Sequence, residues 1–136
     1  MNRIGFQQIA ELRLRESKAL LAAGLPEGAY YLAGYAVECA LKACIAKRTQ
    51  EHDFPEKESK DYYSHDLKKL LGFARFTEEL DQTVRKNPAM KAHWIIVSDW
   101  SETSRYEKKT IEEATGLLKA IEDQSEGIFT WLQKRW

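Results

Sequence analysis

A carboxylate and an amine stand four residues apart in a stretch that is otherwise apolar or small. Glu38 and Lys42 interrupt the segment from Tyr30 to Ala46, whose composition predicts a helix buried on most of its circumference. The spacing places both side chains on one helix face, with the acid first, which is the favourable order. Burying either charge alone would be costly, so each needs a partner. The segment therefore predicts either an ion pair that holds the fold or a polar pocket.

Two further groups of polar and aromatic residues precede predicted helices. His65 and Asp66 open "SHDLKKLL", where the Asp66 carboxylate suits the positive end of a helix dipole. Arg105 and Tyr106 lie in "SDWSETSRYEKK", together with Trp100, just before the last predicted helix. An arginine beside aromatic residues can bind a phosphate or act as a structural clamp.

We expect these residues to form one site. Glu38 and Lys42 should meet Arg105 in a polar cluster that ties the second, third and last helices together, and His65 should lie at the same cluster. One alternative is a purely structural hydrogen-bonded network. The other is a pocket in which the two basic side chains face a phosphate while an aromatic ring stacks on a base. The structural alternative is favoured, because ion pairs that only stabilise a fold show the same residue types and spacing as a functional site. The candidate ligand-binding residues are Glu38, Lys42, His65, Trp100, Arg105 and Tyr106.

Other reactive residue types give no site. The histidines His52, His65 and His93 are scattered, and neither cysteine has the spacing of a metal ligand. Cys39 and Cys44 lie five positions apart on one predicted helix, so their side chains are too far apart for a disulfide. We expect both to be small buried side chains. "GLPEG" matches neither phosphate-binding loop pattern. The sequence therefore predicts no metal, no cofactor and no cysteine nucleophile.

Length and composition limit what the chain can be. Its 136 residues suffice for one hydrophobic core, so we expect residues 1–136 to form a single domain. The composition, 43% hydrophobic and 31% charged, is that of a globular protein. The 21 basic and 21 acidic residues cancel, so any nucleic-acid role must rest on a local patch. The thiols are unpaired, which suits a reducing compartment. The N-terminus has no signal-peptide core, and no apolar run is long enough to span a bilayer. We therefore expect a cytoplasmic protein without a membrane partner.

The elements that carry the candidate residues are predicted to be helices. Apolar residues recur at spacings of three and four along most of the chain. In chain order the spacing predicts a helix over 5–23, a turn at "GLPEG", a helix over 30–48, a loop over 49–64, a helix from His65, a short helix over 77–86, a short helix carrying Met90, Trp94 and Val97, and one long last helix from Ile111 to the C-terminus. The predicted fold is all-α, an antiparallel up-and-down bundle of four main helices with one or two short extra helices.

The order of three motifs resembles a known family. "YYLAGYAVECALKA", "SHDLKKLL" and then a tryptophan and "RYE" before a long final helix are similar to the HEPN family, over roughly Phe6 to Leu132. The resemblance implies an antiparallel helical bundle that homodimerises and often works with a small nucleotidyltransferase. It also implies a role in toxin–antitoxin or defence systems, in which many members cleave RNA without a metal.

The ribonuclease branch of that family has an arginine followed, after four to six residues, by a histidine. After Arg105 those positions are residues 110–112, and none is histidine. Arg85 comes nearest, but seven residues separate it from His93. We therefore expect no catalytic residue, and a non-enzymatic HEPN-type module that dimerises and binds a nucleotide, RNA or a partner nucleotidyltransferase. Two alternatives stay open: a metal-independent toxin ribonuclease with a divergent active site, and a structural adaptor with no ligand.

Overall fold

The computed structural model describes residues 1–52 and 63–136, with the backbone alone for residues 50–52, and this part of the chain is almost entirely helical. It contains no strand, which confirms the predicted all-α class. The elements are α1 (Arg3–Ala22), α2 (Pro26–His52), α3 (Leu67–Phe73), α4 (Thr77–Lys86), α5 (Pro88–Ser98), a 3₁₀ helix (Glu102–Tyr106), α6 (Ile111–Glu122) and α7 (Ile128–Gln133). Within the described ranges, no helix combines the length and apolarity needed to cross a membrane.

α1 and α2 form an antiparallel hairpin around the predicted "GLPEG" turn. Gly24 ends α1 in the left-handed region with φ 77°, a conformation that costs glycine little because it has no Cβ. The Leu25 N–H donates to the Leu20 carbonyl at 2.9 Å, which closes the helix end. Deeper in the hairpin, the buried Ser17 hydroxyl donates to the Ala29 carbonyl at 2.6 Å. This bond ties the two helices together in the core.

α2 is the central helix, and it packs against α1, α3, the 3₁₀ helix, α6 and α7. Many of its buried positions are alanines, which let neighbouring helices approach closely. These are Ala29, Ala33, Ala36, Ala40 and Ala43. The approach is tightest at Gly34, where the Trp100 indole lies directly on the helix backbone. A Cβ at this position would overlap three ring atoms, well inside the 3.0 Å that real Cβ atoms keep.

The predicted single last helix is wrong, because the chain breaks it between α6 and α7. The Asp123 carboxylate accepts hydrogen bonds from the backbone N–H groups of Ser125 at 3.1 Å and Glu126 at 2.8 Å. Such local bonds compete with the helical ladder and end it. A Cβ on Gly127 would lie 2.5–2.6 Å from backbone atoms of Ile121 and Asp123, so only glycine fits at this corner. The apolar spacing continues across the break and hides it in the sequence.

Most other helix boundaries agree with the prediction. α4 spans the predicted residues, and α3 and α5 lie where the spacing placed them. Both ends of α2 differ from the prediction. The helix begins at Pro26, inside the predicted "GLPEG" turn and four residues before the predicted start at Tyr30. It continues to His52, so the loop predicted from Thr49 begins later. Residues 53–62 of that loop lie outside the described residues.

Candidate functional site

Glu38 is fully buried in the middle of α2 and has two nitrogen partners. The Lys42 Nζ donates to the carboxylate at 3.0 Å. The His65 Nδ1 lies 3.1 Å from each of the two carboxylate oxygens. A carboxylate only accepts hydrogen bonds, so Nδ1 carries the proton and donates it. The structure thus brings together three of the residues that the sequence placed at one cluster.

The start of α3 positions His65 in this cluster. Asp66 is the N-cap, and its carboxylate accepts from the backbone N–H groups of Lys68 at 3.0 Å and Lys69 at 3.2 Å. These bonds satisfy N–H groups that the first turn of a helix leaves without partners. The cap fixes the backbone just after His65, whose side chain is 43% exposed and reaches from the surface to the buried carboxylate.

A cleft of about 550 Å³ opens between the start of α3 and the segment that joins α5 to the 3₁₀ helix. At its wall, the His65 Nε2 lies 3.4 Å from a carboxylate oxygen of Glu102. Asp66 and Asp99 add two more carboxylates, whereas Lys68 supplies the one lysine among the lining residues. The excess of negative charge suits an amine or another cation better than a phosphate.

Arg105 does not join the cluster, which corrects the prediction. Among the ion pairs of the described residues, none connects Arg105 to Glu38, whose two oxygens are already engaged. The Arg105 guanidinium instead lies over two aromatic rings, 5.0 Å from the centroid of Tyr106 and 5.9 Å from that of Tyr31. The negative face of an aromatic ring attracts a cation, and this attraction holds the side chain at the surface.

The pocket alternative, in which Lys42 and Arg105 face one phosphate, is therefore not assembled. Lys42 is 12% exposed along its side chain, and its amine is engaged by Glu38. Arg105 lies in the 3₁₀ helix and contacts different residues. The two basic residues serve separate structures, the first in the core and the second at the surface.

Four residues form a layered arrangement that we call the aromatic stack: Trp100, Tyr31, Arg105 and Tyr106. Tyr31 stacks on Trp100 with ring centroids 6.1 Å apart and an angle of 9° between the planes. Trp100 is 3% exposed and packs on Gly34, so its ring cannot stack on a ligand. Tyr106 is 78% exposed at the other end of the stack. Of the two aromatic candidates from the sequence, Tyr106 alone offers its ring to a ligand.

The sequence prediction missed Tyr31 and Glu102. Tyr31 lies in the motif "YYLAGYAVECALKA", but nothing in the local sequence relates it to Arg105. Glu102 lies inside the quoted "SDWSETSRYEKK" motif. An acidic residue there could have indicated a partner for His65. Both residues acquire a role only through contacts between distant elements.

The two cysteines are buried, as predicted. Burial raises the pKa of the Cys39 thiol and of the Cys44 thiol to about 12. Thiols with such pKa values stay protonated at neutral pH and are poor nucleophiles. In the ranges that the structure describes, no three His, Cys, Asp or Glu side chains are grouped so that they could hold a metal ion.

A family model for the HEPN domain matches residues 6–134 of the chain. This chain belongs to the HEPN family. Comparison with curated proteins finds no match, and neither does comparison with solved structures. The family match covers most of α1 and continues through α7, so the buried cluster and the aromatic stack are both parts of the HEPN domain.

Proposed function

We propose that this HEPN domain is a non-catalytic binding module that holds a nucleotide or single-stranded RNA at the aromatic stack. The observation that carries the proposal is the Arg105 guanidinium against the exposed ring of Tyr106, 5.0 Å from its centroid. Every base has a π-face, and stacking on an aromatic side chain contributes about 1–3 kcal/mol per base. The guanidinium makes no hydrogen bond with the described residues, so its N–H groups remain for phosphate oxygens.

The buried side of the stack supports this proposal, because it fixes the binding surface before a ligand arrives. Tyr31 is held on Trp100, and Trp100 is held on Gly34. A surface that is already ordered loses little conformational entropy on binding. The exposed residues of the stack are Arg105 and Tyr106, which offer a guanidinium to a phosphate and a ring to a base.

The surroundings of His65 support binding without cleavage. Its two ring nitrogens are engaged by Glu38 and Glu102, and the nearby cleft is lined by further carboxylates. A phosphodiester that approached this cleft would meet negative charge rather than the cation that a phosphorane intermediate needs. No histidine follows Arg105 at the family's ribonuclease spacing.

A labelled single-stranded RNA and fluorescence anisotropy test the proposed ligand site. Tyr106→Ala should weaken binding about tenfold, since it removes a stacking surface worth about 1–3 kcal/mol. Arg105→Ala should weaken it by a similar factor with little change in the urea midpoint, because the residue is exposed. The matched control is Lys108→Ala, an exposed cation nearby with no described ion pair, which should bind almost as the parent does. Loss of stability without loss of affinity in Arg105→Ala would identify a structural clamp.

The proposal extends to self-association and to a nucleotidyltransferase partner, both of which the family membership implies. Ile95 and Ile96 support an apolar interface, since these neighbouring residues of α5 are 59% and 40% exposed. Native mass spectrometry of protein purified from its own host measures both. A mass of two chains, alone or with a second protein, would agree with this extension. A monomer with nothing bound would contradict it.

One observation favours the alternative function, a metal-independent ribonuclease. The buried Glu38 carboxylate orients the His65 imidazole at the mouth of a cleft, which is an arrangement typical of a general acid or base. We expect a labelled RNA to remain intact when incubated with the parent protein and EDTA. Cleavage that disappears in His65→Ala, with RNA affinity unchanged, would replace the binding proposal by the ribonuclease.

A further inference from the structure

A second cleft, of about 480 Å³, opens toward the far end of α2 from the aromatic stack. Basic residues reach it from three parts of the fold. Lys47 and Arg48 come from α2, Arg75 from the turn after α3, and Lys134 and Arg135 from the segment after α7. We call these five residues the basic cleft.

Positive charge dominates the basic cleft. Among the described residues that line it, none is acidic. Arg135 is paired from outside the lining by Glu79, whose Oε1 lies 3.0 Å from Nε and 2.7 Å from Nη2. Lys47 and Lys134 form no ion pair with any residue of the described part of the chain. The cleft therefore keeps uncompensated ammonium groups that an anion can neutralise.

Arg135 is held rigidly at the edge of the basic cleft. Its guanidinium lies 3.6 Å from the ring centroid of Trp131, and its Nη1 donates to the Trp131 carbonyl at 2.7 Å. Together with the pair to Glu79, these contacts use three of the five N–H bonds of the side chain. The remaining two N–H bonds have no hydrogen-bond partner among the described residues. Preorganised donors of this kind are typical of phosphate sites.

Arg75 has a left-handed backbone conformation, which is uncommon for a residue with a side chain. Arg75 follows the C-cap of α3 with φ 63°, in the left-handed region. Its N–H donates to the Gly72 carbonyl, and the Phe76 N–H donates to the Leu71 carbonyl, as at many helix ends. Glycine is the usual residue there, and a residue with a Cβ costs about 1 kcal/mol more. Strain of this size concentrates at functional sites.

Helix dipoles explain only part of the basic cleft. Cations near a helix C-terminus are stabilised by the partial negative charge of that end, which accounts for Lys134 and Arg135 after α7. The effect is confined to the last turn. Lys47 and Arg48 lie before the last turn of α2, which ends at His52. The dipole of α2 therefore does not explain why Lys47 and Arg48 are basic.

We propose that the basic cleft binds a phosphate-bearing anion, either a free polyphosphate or the phosphodiester backbone of RNA. Five basic residues line the cleft, and none of its described lining residues is acidic. Together with an apolar floor of Cys44, Ala74 and Phe76, they suit several phosphate oxygens beside an uncharged group. The site is distinct from the aromatic stack, because Lys47 lies sixteen residues beyond Tyr31 on α2, about 24 Å along the helix axis.

Two probes separate the two sources of phosphate. Inorganic tripolyphosphate, followed by isothermal titration calorimetry, reports binding of free phosphates without a base. A labelled single-stranded RNA, followed by anisotropy over a range of salt concentrations, reports binding of a phosphodiester backbone. Lys47→Glu/Lys134→Glu is the test variant. The control variant is Arg15→Glu/Lys91→Glu, which changes the net charge equally at two exposed cations away from the cleft.

The test variant should bind at least one of the two probes about tenfold or more weakly than the parent does. The control variant should change the affinity for the same probe by less than about twofold. For RNA the slope of log affinity against log salt should also become shallower by about 1.4, which is about 0.7 for each of the two lysines on a single strand. Binding of tripolyphosphate would identify a free polyphosphate as a ligand, and binding of RNA alone would identify the backbone. Equal loss in the test and control variants, or no binding of either probe to the parent, would overturn the proposal.

A second variant keeps the proposal testable if the charge reversals unfold the protein. Arg75→Gly removes one cation and relieves the left-handed strain, so the thermal midpoint should not fall while affinity for the bound probe falls about fivefold to tenfold. Unchanged affinity in Arg75→Gly and in the single exposed reversal Lys134→Glu would overturn the proposal. The aromatic-stack variant Tyr106→Ala should leave tripolyphosphate binding unchanged, so failure of one site is separable from failure of the other.

Discussion

Replacing Gly34 with alanine tests the contact between α2 and the Trp100 indole. The added Cβ would overlap three atoms of the rigid ring rather than the far end of a flexible side chain. The ring cannot yield by a few tenths of an ångström, because it is 3% exposed and also stacks on Tyr31. The substitution should therefore displace the whole indole from its place on α2.

The magnitude follows from two opposing effects. Replacing glycine by alanine inside a helix stabilises it by about 1 kcal/mol when nothing else changes. Losing the buried packing of a tryptophan costs about 3–5 kcal/mol. The difference predicts that Gly34→Ala lowers the free energy of unfolding by about 2–4 kcal/mol. This is a large fraction of the stability of an average domain.

Gly116 in α6 provides a matched control, because a Cβ there meets nothing within 4 Å. Gly116→Ala should raise the free energy of unfolding by about 1 kcal/mol. Urea titrations of the parent and both variants, followed by far-UV circular dichroism, measure the two changes. Tryptophan emission should shift to longer wavelength in Gly34→Ala, since the displaced indole meets water. Equal or greater stability of Gly34→Ala relative to the parent would refute the packing at this contact.

Three further predictions concern buried polar groups and thiols. Ser17→Ala should cost about 1 kcal/mol of unfolding free energy in urea, because it leaves the buried Ala29 carbonyl without its donor; an unchanged midpoint would contradict this. Glu38→Gln should cost about 2 kcal/mol, since two nitrogen donors lose a charged acceptor, whereas Glu102→Gln at the partly exposed carboxylate should change stability by less than about 0.5 kcal/mol. Cys44 should resist iodoacetamide in the native protein at pH 8 and react in urea, as intact mass will show. Its pKa rises from 9.0 to about 12 on folding, so the unfolded thiol ionises first and stability falls as the pH increases through that interval.

Features encoded in neighbouring residues could be predicted from the sequence. The cap at Asp66, the glycine turn at Gly24 and the bounds of α4 all depend on side chains within a few positions of the backbone they fix. The pairing of Glu38 with Lys42 is local in the same sense, since one helical turn separates them. The proximity of His65 was also predictable, because a buried carboxylate on α2 required a second donor from an adjacent helix.

Features that depend on contacts between distant elements could not be predicted. The corner between α6 and α7 is imposed where Gly127 packs on backbone atoms of its own turn, while the apolar spacing on both sides remains helical. Arg105 finds its aromatic partners because the 3₁₀ helix docks beside the first turns of α2, a placement that no spacing in the sequence specifies. The basic cleft could not be predicted because its cations come from three segments that are distant in the sequence.

The buried carboxylate of α2 also has a consequence for the order in which the chain gains structure. The α1–α2 hairpin consists of contacts between segments adjacent in the chain, and such contacts form early in folding. Glu38 carries its first partner, Lys42, on the same helix, so the hairpin can bury this charge before the segment that begins with His65 arrives. We expect pulsed hydrogen exchange during refolding to protect the amides of α1 and α2 ahead of those of α3.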